Sequence, residues 1–175
     1  DAGIAPFSIG ERNMAIKHIE RLQEIYSGKS ITIMDRGYWS RQMIAMICEK
    51  EDKFLMRVAS NASKELLENL NNKGLLTIKY NKKLYRLRFY RFKLKSGEIE
   101  TLVTNLEETQ VSDDDLAQLY FKRWGIETKY KELKVYLQME NFTGKTVSSV
   151  LQDFYATVFL SNMTAFAKMH ADEKV

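Results

Sequence analysis

Apolar side chains recur at helical spacing at Ile16, Ile19, Leu22 and Ile25, which predicts a helix from Glu11 to Tyr26 closed by Ser27-Gly28. The next run, SITIM from Ser30 to Met34, is short, apolar and rich in β-branched residues, and it ends at Asp35-Arg36-Gly37. Trp39 to Lys50 reads as a second helix and Lys53 to Val58 as a second strand. Strand, helix and strand in that order predict parallel α/β organisation. Asp1 to Ile4 is a candidate for a residual strand ahead of the first helix.

Past a short helix expected at Ser63–Leu70, the period changes from helical to two. Tyr85, Leu87 and Phe89 are apolar at odd positions, with Arg86 and Arg88 between them. The phase then flips: Tyr90, Phe92 and Leu94 are apolar, and Arg91, Lys93 and Lys95 are basic. A one-residue phase change within a strand predicts a β-bulge. Tyr80-Asn81-Lys82-Lys83 and Ser96-Gly97 have the composition of turns in a meander that runs to about Asn105. Ser112, with Asp115 three residues on, matches a capping box and opens one long helix to about Met139. Val147–His170 is the closing helix, apolar over most of its circumference and expected to be buried. The predicted organisation is residues 1–59 as the first part of an α/β core, 60–105 as a β-rich insertion and 106–175 as C-terminal helices.

A chain of 175 residues is long enough for one domain with a real core. It begins DAGIAPFS, with neither Met nor a charged-then-apolar leader, so a signal peptide is not expected and a piece of a longer polypeptide is. The longest uncharged stretch, Phe154 to Ala167, is too short to span a bilayer, and no membrane partner is expected. Cys48 is the only cysteine, which excludes an internal disulfide framework and fits a reducing, cytoplasmic location. The net charge of +4 conceals an asymmetry: nine Lys or Arg and no acid lie between Lys73 and Lys95, leaving 18 bases against 23 acids elsewhere. Positive charge gathered in one segment points to an anionic partner such as a phosphate backbone.

Candidate chemistry concentrates in YFKRWGIETKYKELK, residues 120–134. On a uniform helix at 100° per residue, Tyr120, Arg123, Glu127 and Lys134 fall within an arc of about 60°. Leu119, Ile126, Tyr130, Leu133 and Leu137 lie beside them, so the polar stripe borders the apolar face. An acid among bases on such an edge suits a metal ion with phosphates around it. Ordinary charge compensation along an interfacial helix is the competing explanation.

The spacing Tyr-x2-Arg-x3-Glu-x6-Lys, with Arg123-Trp124-x-Ile126-Glu127 inside it, resembles the signature of DDE transposases of the bacterial insertion-sequence-four family. Asp35-Arg36-Gly37-Tyr38, directly after a short apolar strand, resembles that family's second catalytic aspartate, and a β-rich insertion between aspartate and glutamate is also similar. The resemblance implies an RNase H-like (retroviral integrase-type) fold, truncated at its N-terminus here. It implies two divalent ions, Mg²⁺ or Mn²⁺, shared by two aspartates and a glutamate, which drive DNA strand cleavage and strand transfer at mobile-element ends. Asp35 and Glu127 are then metal ligands and catalytic residues. Tyr120, Arg123 and Lys134 orient terminal phosphates, and the strands from Tyr80 to Lys95, with Arg86, Arg88 and Arg91, grip DNA. The implied partner is DNA at the terminal inverted repeats of an insertion sequence, bound by a homodimer. The family's first catalytic aspartate belongs to an earlier strand, and Asp1 does not take its place, so this chain is expected to be inactive alone.

Two readings of other classes stand beside this one: a DNA-binding module whose basic meander alone matters, and a different RNase H-like nuclease. Arg36 and Trp124 are candidates for DNA contact, and packing explains each about as well. Gly28-Lys29-Ser30 and Gly144-Lys145-Thr146 lack the glycine five positions upstream that a phosphate loop needs, having Gln23 and Met139 there. His18 and His170 are isolated. Asp113-Asp114-Asp115 suits the positive end of a helix dipole without any metal. Asn61, Asn141 and Asn162 match a glycosylation pattern that carries no weight without a secretory signal.

Overall fold

In a computed structural model, residues 2–6, 8–26 and 28–172 are described. The chain divides into two compact units, Gly10–Arg123 and, separately, Asp1–Ile9 with Trp124–Val175. The larger unit opens with helix α1 (Glu11–Ile25), strand β1 (Ile31–Met34), a 3₁₀ turn (Arg36–Tyr38), α2 (Arg41–Glu49) and β2 (Lys53–Val58). It continues through α3 (Lys64–Glu68), β3 (Lys73–Tyr80), β4 (Lys83–Lys93), β5 (Ile99–Thr104) and α4 (Asp113–Phe121). Ser40, Ser63 and Ser112 cap α2, α3 and α4, each hydroxyl accepting the backbone N–H three residues on. Of the expected N-terminal strand, Asp1 lies outside the described residues, and Ala2 to Ile4 has no regular structure. Ser27, half of the expected helix stop, also lies outside them.

The strands form one mixed sheet in the order β1-β2-β5-β4-β3. β1 and β2 are parallel and joined through α2, as strand-helix-strand order requires. The β-rich segment extends this sheet: β5 lies antiparallel to β2, β4 to β5 and β3 to β4. Asn81 and Lys82, at φ 46° and 64°, make the two-residue turn between β3 and β4, and Gly97, at φ 94°, turns β4 into β5.

The expected bulge is absent. β4 pairs without interruption with β3 from Lys83 to Tyr90 and with β5 from Arg88 to Lys93. The phase flips because the sheet is covered on both faces, and β4 buries different faces at its two ends. Leu87 and Phe89 join Met43, Ile44, Ile47, Phe54 and Met56 in a cluster with α1 and α2. Tyr90 and Phe92 pack instead on the opposite face with Leu55, Leu102, Leu116 and Tyr120. Gly74 stands opposite Phe89 and leaves room for its ring, since a Cβ there would lie 2.9 Å from Cε1.

The one long helix expected to Met139 is broken. α4 ends in tightened i→i−3 bonds from Lys122 to Leu119 and from Arg123 to Tyr120, and Gly125, a weak helix former, follows. In the smaller unit, α5 (Trp124–Lys131) runs into a π turn (Glu132–Tyr136), and α6 (Val147–Asp172) closes the chain. Glu132 accepts hydrogen bonds from Lys129 Nζ at 3.0 Å and Ser161 Oγ at 2.8 Å, which ties the π turn to α6. The expected burial of α6 is not observed: of its described residues only Phe154 and Ser161 are buried, while Phe159, Met163, Phe166 and Met169 are exposed.

Candidate functional site

Asp35 follows the last residue of β1, and Arg57 stands one residue before the end of β2. The carboxyl ends of parallel strands are where open α/β sheets gather ligands. Asp35 caps the 3₁₀ turn, its Oδ1 accepting the Arg36 backbone N–H at 2.6 Å. The same oxygen accepts Arg57 Nε at 2.9 Å, Arg57 Nη2 at 2.8 Å and, more weakly, the Tyr120 hydroxyl at 3.5 Å. Arg57 Nη1 donates to Glu100 Oε1 at 2.8 Å. The Arg123 guanidinium lies 5.5 Å from the Tyr120 ring centroid. The Asp35 turn is anchored to α1, where Tyr38 hydrogen-bonds Glu11 and Arg12 Nε donates to the Gly37 carbonyl at 2.7 Å.

Partial burial raises the Asp35 pKa, but the hydrogen bonds from Arg36 and Arg57 and the charges of Arg57 and Arg123 outweigh it, leaving the carboxyl below its ordinary range. Asp35 is thus an anion at neutral pH. Burial pushes the Tyr120 phenol up, so its hydroxyl keeps the proton it donates. An ionised, partly exposed carboxylate is a hard oxygen donor of the kind Mg²⁺ and Mn²⁺ prefer. Among the described residues no three His, Cys, Asp or Glu side chains form a metal-binding group. The single carboxylate of Asp35 is a hard oxygen donor of the kind a divalent cation takes when water and phosphate oxygens complete its shell.

The stripe expected at residues 120–134 does not form on one helix. Tyr120 is in α4, Arg123 in the break after it, Glu127 in α5 and Lys134 in the π turn, where it pairs with Glu140 at 2.7 Å. A constant 100° per residue does not hold across that sequence. Tyr120 is only 4% exposed and packs in the core, so its hydroxyl tip is the part that reaches Asp35. Arg36 and Trp124 are exposed.

Of the three β4 arginines expected on DNA, Arg88 and Arg91 are engaged within the protein. Arg88, 9% exposed, donates to the Val111 carbonyl at 2.7 Å and pairs with Asp113 at 3.2 Å, locking β4 to the start of α4. Arg91 donates to the carbonyls of Leu66, Asn69 and Asn71 and so closes the end of α3. Arg88 is covered locally by Val111 and Asp113 at the start of α4, whereas Arg86, two residues earlier on the same face, is exposed. Arg86, Lys79, Lys82 and Lys93 are exposed. Arg57 and Glu100 escaped sequence reasoning, because single charges inside short strands carry no motif.

Residues 3–163 match the family model of the transposase DDE domain, and the chain belongs to that family. It is 29% identical over 134 residues to a Synechocystis protein named as a transposase for insertion sequence element IS4SA, a match covering 73% of this chain. It is 22% identical over 146 residues, 77% of this chain, to a Geobacillus stearothermophilus protein named as a transposase for insertion sequence element IS5377. The chain spans 38% of the length of each of these relatives. Among the described residues no helix is long and apolar enough to cross a membrane.

Proposed function

We propose that these 175 residues work within a transposase as part of an RNase H-like catalytic domain that cleaves and transfers DNA strands at the ends of an insertion sequence. The observation that carries the reading is Asp35: an ionised carboxylate at the carboxyl end of a parallel strand, in the motif Asp35-Arg36-Gly37-Tyr38 of a chain that belongs to the DDE family. Asp35 and Glu127 serve as carboxylate ligands and catalytic residues. Bound Mg²⁺ or Mn²⁺, two ions in the complete site, supplies Lewis-acid stabilisation of the attacking and leaving oxygens of an in-line displacement at phosphorus.

The chain's own side chains bind and orient the substrate. Arg123 and Lys134 offset phosphate charge, with Arg36 and the hydroxyl tip of Tyr120 beside the scissile position. Arg86 holds the DNA backbone, and Trp124, 58% exposed, offers a ring on which a base can stack. Terminal inverted repeats are the DNA partner, a homodimer brings two ends together, and the cytoplasm is the location. With only part of the carboxylate set present, the isolated chain is inactive.

The test is a full-length transposase carrying these residues, incubated with DNA containing its element ends, with and without Mg²⁺. Mg²⁺-dependent cleavage and joining support the proposal. Binding without cleavage would favour the DNA-binding module, and cleavage without joining another nuclease. Activity of the purified 175-residue chain alone would refute its predicted inactivity.

The arginine assignments make a separate prediction. Arg86→Ala is expected to weaken DNA binding and to lower the slope of log K against log salt by about 1, measured by fluorescence anisotropy. Arg91→Ala is expected instead to cost about 1–3 kcal/mol of stability in urea unfolding, because three carbonyls, two of them partly buried, lose their donor.

A further inference from the structure

Asp35 receives an unusual load on one oxygen. The Arg36 N–H, both Arg57 donors and the Tyr120 hydroxyl all meet Oδ1. An ionised carboxylate offers about two lone-pair directions per oxygen, so Oδ1 has no capacity left for a further strong ligand. A ligand to Asp35 must therefore be taken by Oδ2. The donor responsible for most of this load is itself held. Arg57 sits opposite Leu102 in the β2–β5 register, and Glu100 lies two residues from Leu102 on β5, hence on the same face and diagonal to Arg57. Glu100 Oε1 takes Arg57 Nη1 at 2.8 Å while Nε and Nη2 turn to Asp35. Both members are well covered, with side-chain exposures of 23% for Arg57 and 19% for Glu100.

We infer that Arg57, anchored by Glu100, is a positioning residue that holds Asp35 by Oδ1 and so presents Oδ2 to the divalent ion. The inference rests on the proposed metal-binding role of Asp35 and adds to it two residues outside the Asp35 and Tyr120–Lys134 motifs. A lysine cannot reproduce the arrangement in full, because one ammonium lacks the planar fork that reaches Asp35 and Glu100 on separate edges. Outer partners of metal ligands contribute to affinity by fixing the ligand's orientation, and their loss costs about 10–100-fold in binding.

The experiment is Mn²⁺ binding to the full-length transposase, read from the free-ion electron paramagnetic resonance signal, with urea unfolding of each variant as the control for folding. Arg57→Gln and Glu100→Gln are each expected to raise the Mn²⁺ dissociation constant about 10-fold or more, with Arg57→Lys intermediate. A merely structural pair would lower the unfolding midpoint and leave Mn²⁺ binding by the folded fraction unchanged. Affinity within twofold of wild type in folded Glu100→Gln, the mildest change, would overturn the inference even if Arg57→Gln did not fold. Asp35→Asn separates the two ideas. If it leaves Mn²⁺ binding untouched, the metal role of Asp35 is wrong. If it abolishes binding while the Arg57 and Glu100 variants bind normally, only the positioning role is wrong.

Discussion

Asp35→Asn in a full-length transposase carrying this chain is expected to lower strand cleavage at the element ends by about 1,000-fold or more, with DNA binding little changed. The amide keeps the shape of the side chain and removes its charge. Asp35 is held below the ordinary carboxylate range, so at neutral pH the wild-type group is fully anionic and the whole of that charge is lost on substitution. Lewis-acid stabilisation of a phosphoryl transition state amounts to several kcal/mol, and about 4 kcal/mol corresponds to a 1,000-fold change in rate. Arg57 also pairs with Glu100 at 2.8 Å, so its guanidinium is expected to keep one carboxylate partner in the variant and the sheet to hold. Glu127→Gln is expected to act alike. A gel assay of cleaved ends, run beside anisotropy measurements of binding, reads both quantities. Undiminished cleavage by Asp35→Asn would remove Asp35 from the catalytic residues.

Phe89→Ala is expected to cost about 3–5 kcal/mol, a large share of the roughly 5–15 kcal/mol that stabilises an ordinary domain. The ring is 1% exposed and belongs to the core cluster shared with Met43, Ile44, Ile47 and Phe54. Its strand neighbour across β3 is Gly74, which has no side chain to fill the space an alanine would leave. Arg91, 5.0 Å from the ring centroid, would lose its aromatic contact as well. Urea unfolding followed by circular dichroism gives the figure. A cost below about 1 kcal/mol would mean that the two-faced packing of β4 does not depend on this ring.

The contrast between α4 and the expected long helix shows how far sequence reasoning reaches. Ser112 and Asp115 announce the start of α4, and the hydroxyl does accept the Asp115 N–H at 3.2 Å. Its end was not legible, because Leu119, Ile126, Tyr130 and Leu133 continue a helical period across residues whose backbone does not. Periodicity records which positions are apolar, and it is insensitive to a two-residue interruption followed by a π turn. The charge pattern of β4 failed for a related reason. Arg86 and Arg88 look equivalent in sequence, yet Asp113 and the Val111 carbonyl lie beyond Arg88, so it is buried and paired.

By itself the sequence determined the parallel strand-helix-strand start, the Ser112 cap of α4, the turns at Asn81-Lys82 and Gly97, and the two motifs that resemble the family's. Each depends on local backbone preference or on residue spacing, which a linear pattern records directly. Only the tertiary structure decided that the β-rich segment extends the same sheet, that its two halves bury opposite faces, and that Arg57 and Glu100 hold Asp35. These depend on contacts distant in sequence, such as Asp35 with Arg57, 22 positions apart, and Arg57 with Glu100, 43 positions apart, whose energies come from burial and pairing after the chain has folded.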